Sequence, residues 1–484
     1  MKTQRHLYLL LLTLFFSACQ YEFPDLPQEI PDSGEADFSK TIAVGNSITA
    51  GYMDGALYNR GQQNSFMVIL AQQLEQVGGS DFTNPAINSE NGFFAMGPNG
   101  PLGRLILTNN PLLGQVLPAP IGPGDLPAAF TGDKSELNNF SVPGITLGQA
   151  LTPLTGGPPS ETNPAYNPLY ARFASSPGQS TLIGDAANAL ANGGSFFSFW
   201  LGGNDVLGYA VGGAANPSIL TSDEDFQIRF TAALNTLLTA NESANGMVFN
   251  IPQIVDLPYF NLVPYNPLPL SQEEADQVNQ GYAAYNGGLI QAQTLGLISE
   301  EERNYRTISF EAGLNAFVME DENLTDLSAL GMPSMRQSTM EDKAVLLLSE
   351  ALIPIEDSPQ RGVEFPVEDE YVLTPEEQDE ISSKINTFNS YITNMASANT
   401  DRLVMIDIQS FFDQLQNGEV NAGGAILTAS IIPPNGAFSV DGIHPNARTH
   451  AFISNLCAEA INQKWKARIP KVNPNAYIGN DLPR

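Results

Sequence analysis

The sequence predicts an α/β fold, a mostly parallel sheet covered by helices on both faces and carrying large loop insertions. Short apolar runs of β-type residues recur along the chain, each closed by glycine, proline or polar residues, and helical periodicities separate them. The residues best suited to chemistry begin at Ser47 and end at His444, so one fold must bring both ends of the chain together. Length alone, 484 residues, is a prior for about three domains. That long reach instead favours a single domain over 39–470 with insertions near 81–138 and 258–369.

The elements follow in order. Lys2 and Arg5 precede an apolar run from Leu7 to Phe16, then Ser17 and Ala18, which together form a secretory signal over 1–18. The run is too short to cross a bilayer. Phe16-Ser17-Ala18-Cys19 resembles the bacterial lipobox, which implies cleavage before Cys19 and lipid on its sulfur. Residues 19–38, proline-rich and acidic from Tyr21 to Asp37, read as a lipidated flexible tether.

Lys40–Val44 is the first strand and stops at Gly45, and Ser65–Gln76 is helical. Residues 81–138 are rich in glycine and proline. Further strands are expected at Ser195–Leu201, Gly246–Ile251 and Arg402–Ile408, with a helix over Asp223–Thr239. Thr374-Pro375-Glu376-Glu377 combines a cap, a first-turn proline and two acids favoured by the helix dipole, and opens a helix toward Met395. Ala447–Trp465 is the last amphipathic helix, and 471–484 is a tail.

Composition excludes several classes. A formal charge of −31 argues against nucleic acid as a partner. The acids are scattered, which suits solubility outside the cell, and Asp321–Asp326 lacks the glycine and ligand spacing of a calcium loop. Of the two cysteines, lipidation of Cys19 leaves Cys457 alone, so no internal disulfide is expected. His6 leaves with the signal. The remaining two histidines and one cysteine exclude a zinc site of that type.

Gly45-Asn46-Ser47-Ile48-Thr49-Ala50-Gly51 places a serine just past the first strand, where open α/β sheets bind ligands. The segment lacks the Gly-Lys-Ser/Thr ending of a phosphate loop and the glycine spacing of a dinucleotide site. Phe438-Ser439-Val440-Asp441-Gly442-Ile443-His444-Pro445 carries an acid and an imidazole three positions apart on one turn. There the carboxylate can orient the ring and stabilise its cation. A serine hydroxyl needs a base to attack an ester at neutral pH, and a histidine can take its proton. His450, the other candidate, is read as lying on the surface of the last helix. Gly202-Gly203-Asn204-Asp205 and Asn138-Asn139-Phe140-Ser141-Val142-Pro143-Gly144 read as turns that offer hydrogen-bond donors, Asn204 and Gly144, to an oxyanion.

These four segments in this order are similar to the four blocks of SGNH (GDSL-type) hydrolases, and the resemblance covers most of residues 39–465. It implies a flavodoxin-like three-layer α/β/α sandwich. It also implies Ser47 as nucleophile, Asp441 and His444 completing a triad, and the Ser47 N–H, Gly144 and Asn204 as oxyanion donors. Asn46 stands where the family has aspartate, and an asparagine can still hydrogen-bond the turn. The implied activity is hydrolysis of carboxylic esters without metal or organic cofactor, on acyl lipids or acetylated carbohydrate, by a lipoprotein anchored at the outer membrane or cell surface. The competing class is an inactive lipid-anchored protein that binds glycan or serves as a scaffold. Phe93, Phe94, Tyr259 and Phe260 lie in the insertions, where aromatic residues more often pack than bind.

Overall fold

The computed structural model describes residues 30–110, 115–355, 358–422 and 424–483. The expected signal segment and Cys19 lie outside the described residues. In chain order the central elements are β1 (Thr41–Gly45), α1 (Ser47–Ala50), α2 (Phe66–Glu75), β2 (Asn139–Ser141), α3 (Leu147–Leu151), α4 (Leu182–Ala191) and β3 (Phe196–Trp200). They continue with α5 (Asn204–Val211), α6 (Asp223–Ala240), β4 (Asn245–Phe249), α7 (Pro375–Ser397), β5 (Leu403–Ile406) and α8 (Ala447–Trp465).

The five strands form one sheet in the order β2-β1-β3-β4-β5, and every neighbouring pair is parallel. That is the flavodoxin-like order, with its topological switch point at β1. The central strand shows why the sheet is buried on both sides. β3 reads Phe-Phe-Ser-Phe-Trp and every residue is buried. Phe196 meets Trp465 at 5.6 Å and Trp200 meets Phe66 at 5.5 Å between ring centroids, while the intervening Phe199 meets Phe230 at 5.2 Å. Alternate side chains of a strand point to opposite faces, so α2 and α8 cover one face and α6 the other. Helices α3, α4 and α7 pack against α6 in that second layer. The architecture is a three-layer α/β/α sandwich.

Local chemistry sets the helix starts. Ser65 caps α2 by accepting from the Val68 N–H, and Thr374 forms a capping box with Glu377 ahead of Pro375 at the start of α7. Segment 81–138 contributes two antiparallel strand pairs, Ala95–Gly97 with Gly100–Leu102 and Leu105–Asn110 with Gln115–Pro120. Segment 258–369 contains the helix Gln272–Thr294 and its own apolar cluster around Tyr285, Leu289, Ile308 and Phe310. There the buried Arg336 is gripped at 2.6 Å by both Asp321 and Asp342. Among the described residues no helix is long and apolar enough to cross a membrane.

Three expectations need correction. Asn139–Ser141, read as part of a turn, is the edge strand β2, pairing Ala43 with Asn139 and Gly45 with Ser141. Its three residues, two of them polar, carry no apolar run to reveal it. His450 is fully buried where α8 packs against α2, its ring parallel to that of Phe66. The tether is packed in its last part. Glu35 donates its N–H to Trp465 O at 2.7 Å, and Phe38 is only 2% exposed.

Candidate active site

Ser47 opens α1 directly beyond β1. A Cβ at Gly45 would lie 2.3 Å from Thr49 Oγ1, so only glycine lets the strand turn so tightly into the helix. Asn46 caps that helix, its Oδ1 accepting from the Ile48 N–H at 3.0 Å. The Ser47 N–H lies in the first turn, where no helical carbonyl is available to it.

The segment from Phe438 to Pro445 doubles back on itself, with Ser439 N donating to His444 O at 2.7 Å. Asp441 Oδ1 accepts from the N–H groups of Ile443 and His444, each at 2.9 Å, and Oδ2 lies 2.9 Å from His444 Nδ1. His444 Nε2 lies 2.8 Å from Ser47 Oγ. Burial pushes the Asp441 carboxyl up, but the His444 charge and these hydrogen bonds outweigh it and hold the group at about 2. An ionised Asp441 favours the proton on Nδ1, which leaves the Nε2 lone pair facing the serine hydroxyl.

The two donor loops are pinned to each other. Asn204 Nδ2 donates to Ile145 O at 2.9 Å, a bond that uses one of its two amide hydrogens. Asp205 Oδ2 accepts from Leu147 N and its Oδ1 from Thr221 Oγ1, both at 2.9 Å, while burial pushes this carboxyl up to about 6. Gly144 sits at φ +73°, a left-handed conformation that turns the backbone back toward the cleft. Ser47, Gly144, Asn204 and His444 all border one cavity of about 410 Å³. Among the described residues, the structure therefore brings together Ser47, Gly144, Asn204, Asp441 and His444, the residues that the sequence singled out for the reaction. Asp441 stands behind His444.

Of the aromatic residues in the insertions, Phe93 and Phe94 line this cavity. Tyr259 and Phe260 instead pack edge to face at 5.1 Å within the core, and Tyr259 N donates to Gly442 O at 3.0 Å. His450 takes no part in the cleft. Its Nδ1 accepts from Phe66 N at 3.0 Å, and burial, reinforced by His444, pushes its pKa down to about 3.

Sequence reasoning missed the brace behind the acid. The Gly55 N–H donates to Asp441 Oδ2 at 2.8 Å, and the Asp54 N–H donates to Ser439 Oγ at 3.0 Å. The buried Asp54 carboxylate accepts from Val440 N at 3.0 Å, from Tyr58 Oη at 2.7 Å and from Arg104 at 3.4 Å. Tyr52, whose hydroxyl donates to Gly55 O, lays its ring 4.9 Å from that of His444. The Asp-Gly pair at 54–55 is a turn signal, but nothing local says that the turn grips the far end of the chain.

Away from the cleft, carboxylate oxygens of Glu322, Asp369 and Glu377 lie within 4.8 Å of one another. Burial, with the neighbouring carboxylates, pushes Asp369 up to about 7 and Glu377 up to about 8, so protonation relieves their repulsion. No protein-family model matches the chain, and no curated protein matches it.

Proposed function

We propose that the chain is a serine esterase of SGNH type. The observation that carries this reading is the continuous hydrogen-bonded series from Asp441 through His444 to Ser47 Oγ, at the carboxyl end of β1 and open to a cavity. In the proposed reaction Ser47 Oγ forms a bond to the ester carbonyl carbon and passes its proton to His444 Nε2. The Ser47 N–H, the Gly144 N–H and the second Asn204 amide hydrogen receive the oxyanion, for which one such donor contributes roughly 3–4 kcal/mol in comparable sites. The carbon–oxygen bond to the alcohol then breaks, and the alcohol leaves with the proton from His444. Water repeats the sequence on the acyl-enzyme and releases the acid.

The order of the four sequence blocks supports the same reading. Export, and anchorage through lipid on Cys19, belong to the proposal on the strength of the sequence alone. The test is reaction with a fluorophosphonate probe together with hydrolysis of 4-nitrophenyl esters, in wild type beside Ser47→Ala and His444→Ala. Wild type should be labelled on Ser47, and each variant should lose about 10³-fold or more in kcat. Wild type that takes no label and turns over no faster than the variants would overturn the reading in favour of a binding protein.

A further inference from the structure

We infer that the site selects esters joining a short acyl group to a bulky, ring-containing alcohol, an inference that rests on the serine esterase reading above. The observation is an asymmetry of space on the two sides of Ser47. One side is the cleft of about 410 Å³. The other is a slot of about 50 Å³, walled by Ile48, Trp200, Ile251, Ile254, Leu257 and Phe412. Ser47, Asn204, Leu207 and His444 border both spaces. A carbonyl carbon placed at Ser47 Oγ therefore has one substituent in each.

Size limits what each space takes. On the same measure the slot offers about 50 Å³ against about 410 Å³ in the cleft, so it takes the shorter substituent, which we infer to be a chain of acetyl to butyryl length. Apart from Asn46 and the groups around Ser47 that border both spaces, its walls are mainly hydrocarbon and aromatic surface, which suits an alkyl chain rather than a hydroxylated group. The cleft is several times larger. Phe93, Phe94, Tyr52 and Tyr166 give it flat faces, and Asp125 and Asn167 add polar groups. Phe94 is backed by the brace itself, since a Cβ at Gly55 would meet its ring at 2.7 Å.

The two half-reactions decide which substituent goes where. The acyl group stays on Ser47 through both, so a confined slot can hold it throughout. The alcohol must leave, and the water that replaces it must approach from the same direction, because deacylation is acylation reversed with water in place of the alcohol. A wide cleft permits that exchange. Aromatic walls then favour an alcohol with a flat or ring-shaped apolar face, whether an acylated sugar or an aryl-bearing alcohol.

The test measures kcat/KM of the full chain on two series. The first is 4-nitrophenyl acetate, butyrate, octanoate and palmitate. The second is ethyl acetate, benzyl acetate and an acetylated methyl glucoside. Wild type is set beside Ile254→Ala and the less buried Ile48→Ala in the slot, and Phe93→Ala in the cleft. Wild type should prefer acetate and butyrate over octanoate by about tenfold or more, and either slot variant should narrow that ratio at least about threefold. One of the ring acetates should exceed ethyl acetate by about tenfold, and Phe93→Ala should reduce that advantage while leaving the acyl preference in place. Whichever ring acetate leads identifies the alcohol as sugar or aryl. Octanoate or palmitate faster than acetate in wild type, or ethyl acetate equal to both ring acetates, overturns the inference. If Ser47 still takes the fluorophosphonate in that case, the esterase reading survives. If it takes none and no ester turns over, both fall together.

Discussion

Asp54 is held at φ +54°, a left-handed conformation that costs most residues 1–2 kcal/mol and aspartate less. What holds it there is a full set of partners. Its carboxylate meets Tyr58, Arg104 and Val440, and its backbone meets Ser439. Val440 and Ser439 immediately precede Asp441, so Asp54 acts on the reaction only through the placement of the acid and its histidine. Asp54→Asn keeps an acceptor for Val440 but turns an amide donor toward Tyr58 or Arg104. The expected outcome is a fall of about tenfold in kcat per titrated active site, with KM for a small ester within about twofold. A residue needed only for folding would lower Tm and leave kcat per titrated site unchanged. Ser47, Asp441 and His444 were legible because their chemistry is written in short local segments. Asp54 was not, because its partner Val440 lies 386 positions away.

Between elements, the contact of α2 with α8 depends on a histidine that sequence reasoning placed at the surface. The periodicity of 447–465 gave the helix its true bounds, but nearly every face of that helix is covered, so amphipathicity could not tell which positions face α2. His450 lies parallel to the Phe66 ring, with 6.2 Å between centroids, and accepts the N–H of the first residue of α2. The folded chain holds this ring neutral down to about pH 3, whereas the unfolded chain binds a proton below about 6.5. A group that the unfolded state protonates more readily makes stability rise with pH. The contribution of His450 is therefore complete above about pH 6.5 and is lost as pH falls toward 3. Asp205, pushed up to about 6, works in the opposite sense between roughly pH 4 and 6, so the pH curve of wild type alone would hide the effect. Comparison with His450→Asn removes that overlap. The stability advantage of wild type over the variant should shrink by about 2 kcal/mol between pH 7.5 and pH 5 in urea unfolding. An advantage that stays constant over that range would show that His450 does not titrate as its burial requires.

At the scale of the whole molecule, the site exists because both ends of the chain close on the same sheet. The strand and helix pattern revealed that sheet, since strands buried on both faces leave continuous apolar runs, and it failed only where β2 offered three residues and no such run. The chain ends were harder to read, because an acidic, proline-containing segment looks the same whether it hangs free or lies against a partner. Here Asp32 receives the Arg468 N–H at 2.8 Å, Glu35 donates to Trp465, and Phe38 sets its ring 5.2 Å from Phe196 of β3. Beyond the last helix, Asn480 donates to Phe438 O at 2.7 Å, fastening the segment that carries His444. Removing residues 30–38 would therefore uncover the outer end of the sheet core next to Trp465. Loss of the Phe38 side chain alone costs ~3 kcal/mol by analogy with other buried phenylalanines, which lowers Tm by roughly 3 °C in a domain of this size. A chain beginning at residue 30 should accordingly melt that much higher than one beginning at residue 39, measured side by side by calorimetry. Equal melting temperatures would mean that the segment rests on the sheet without stabilising it.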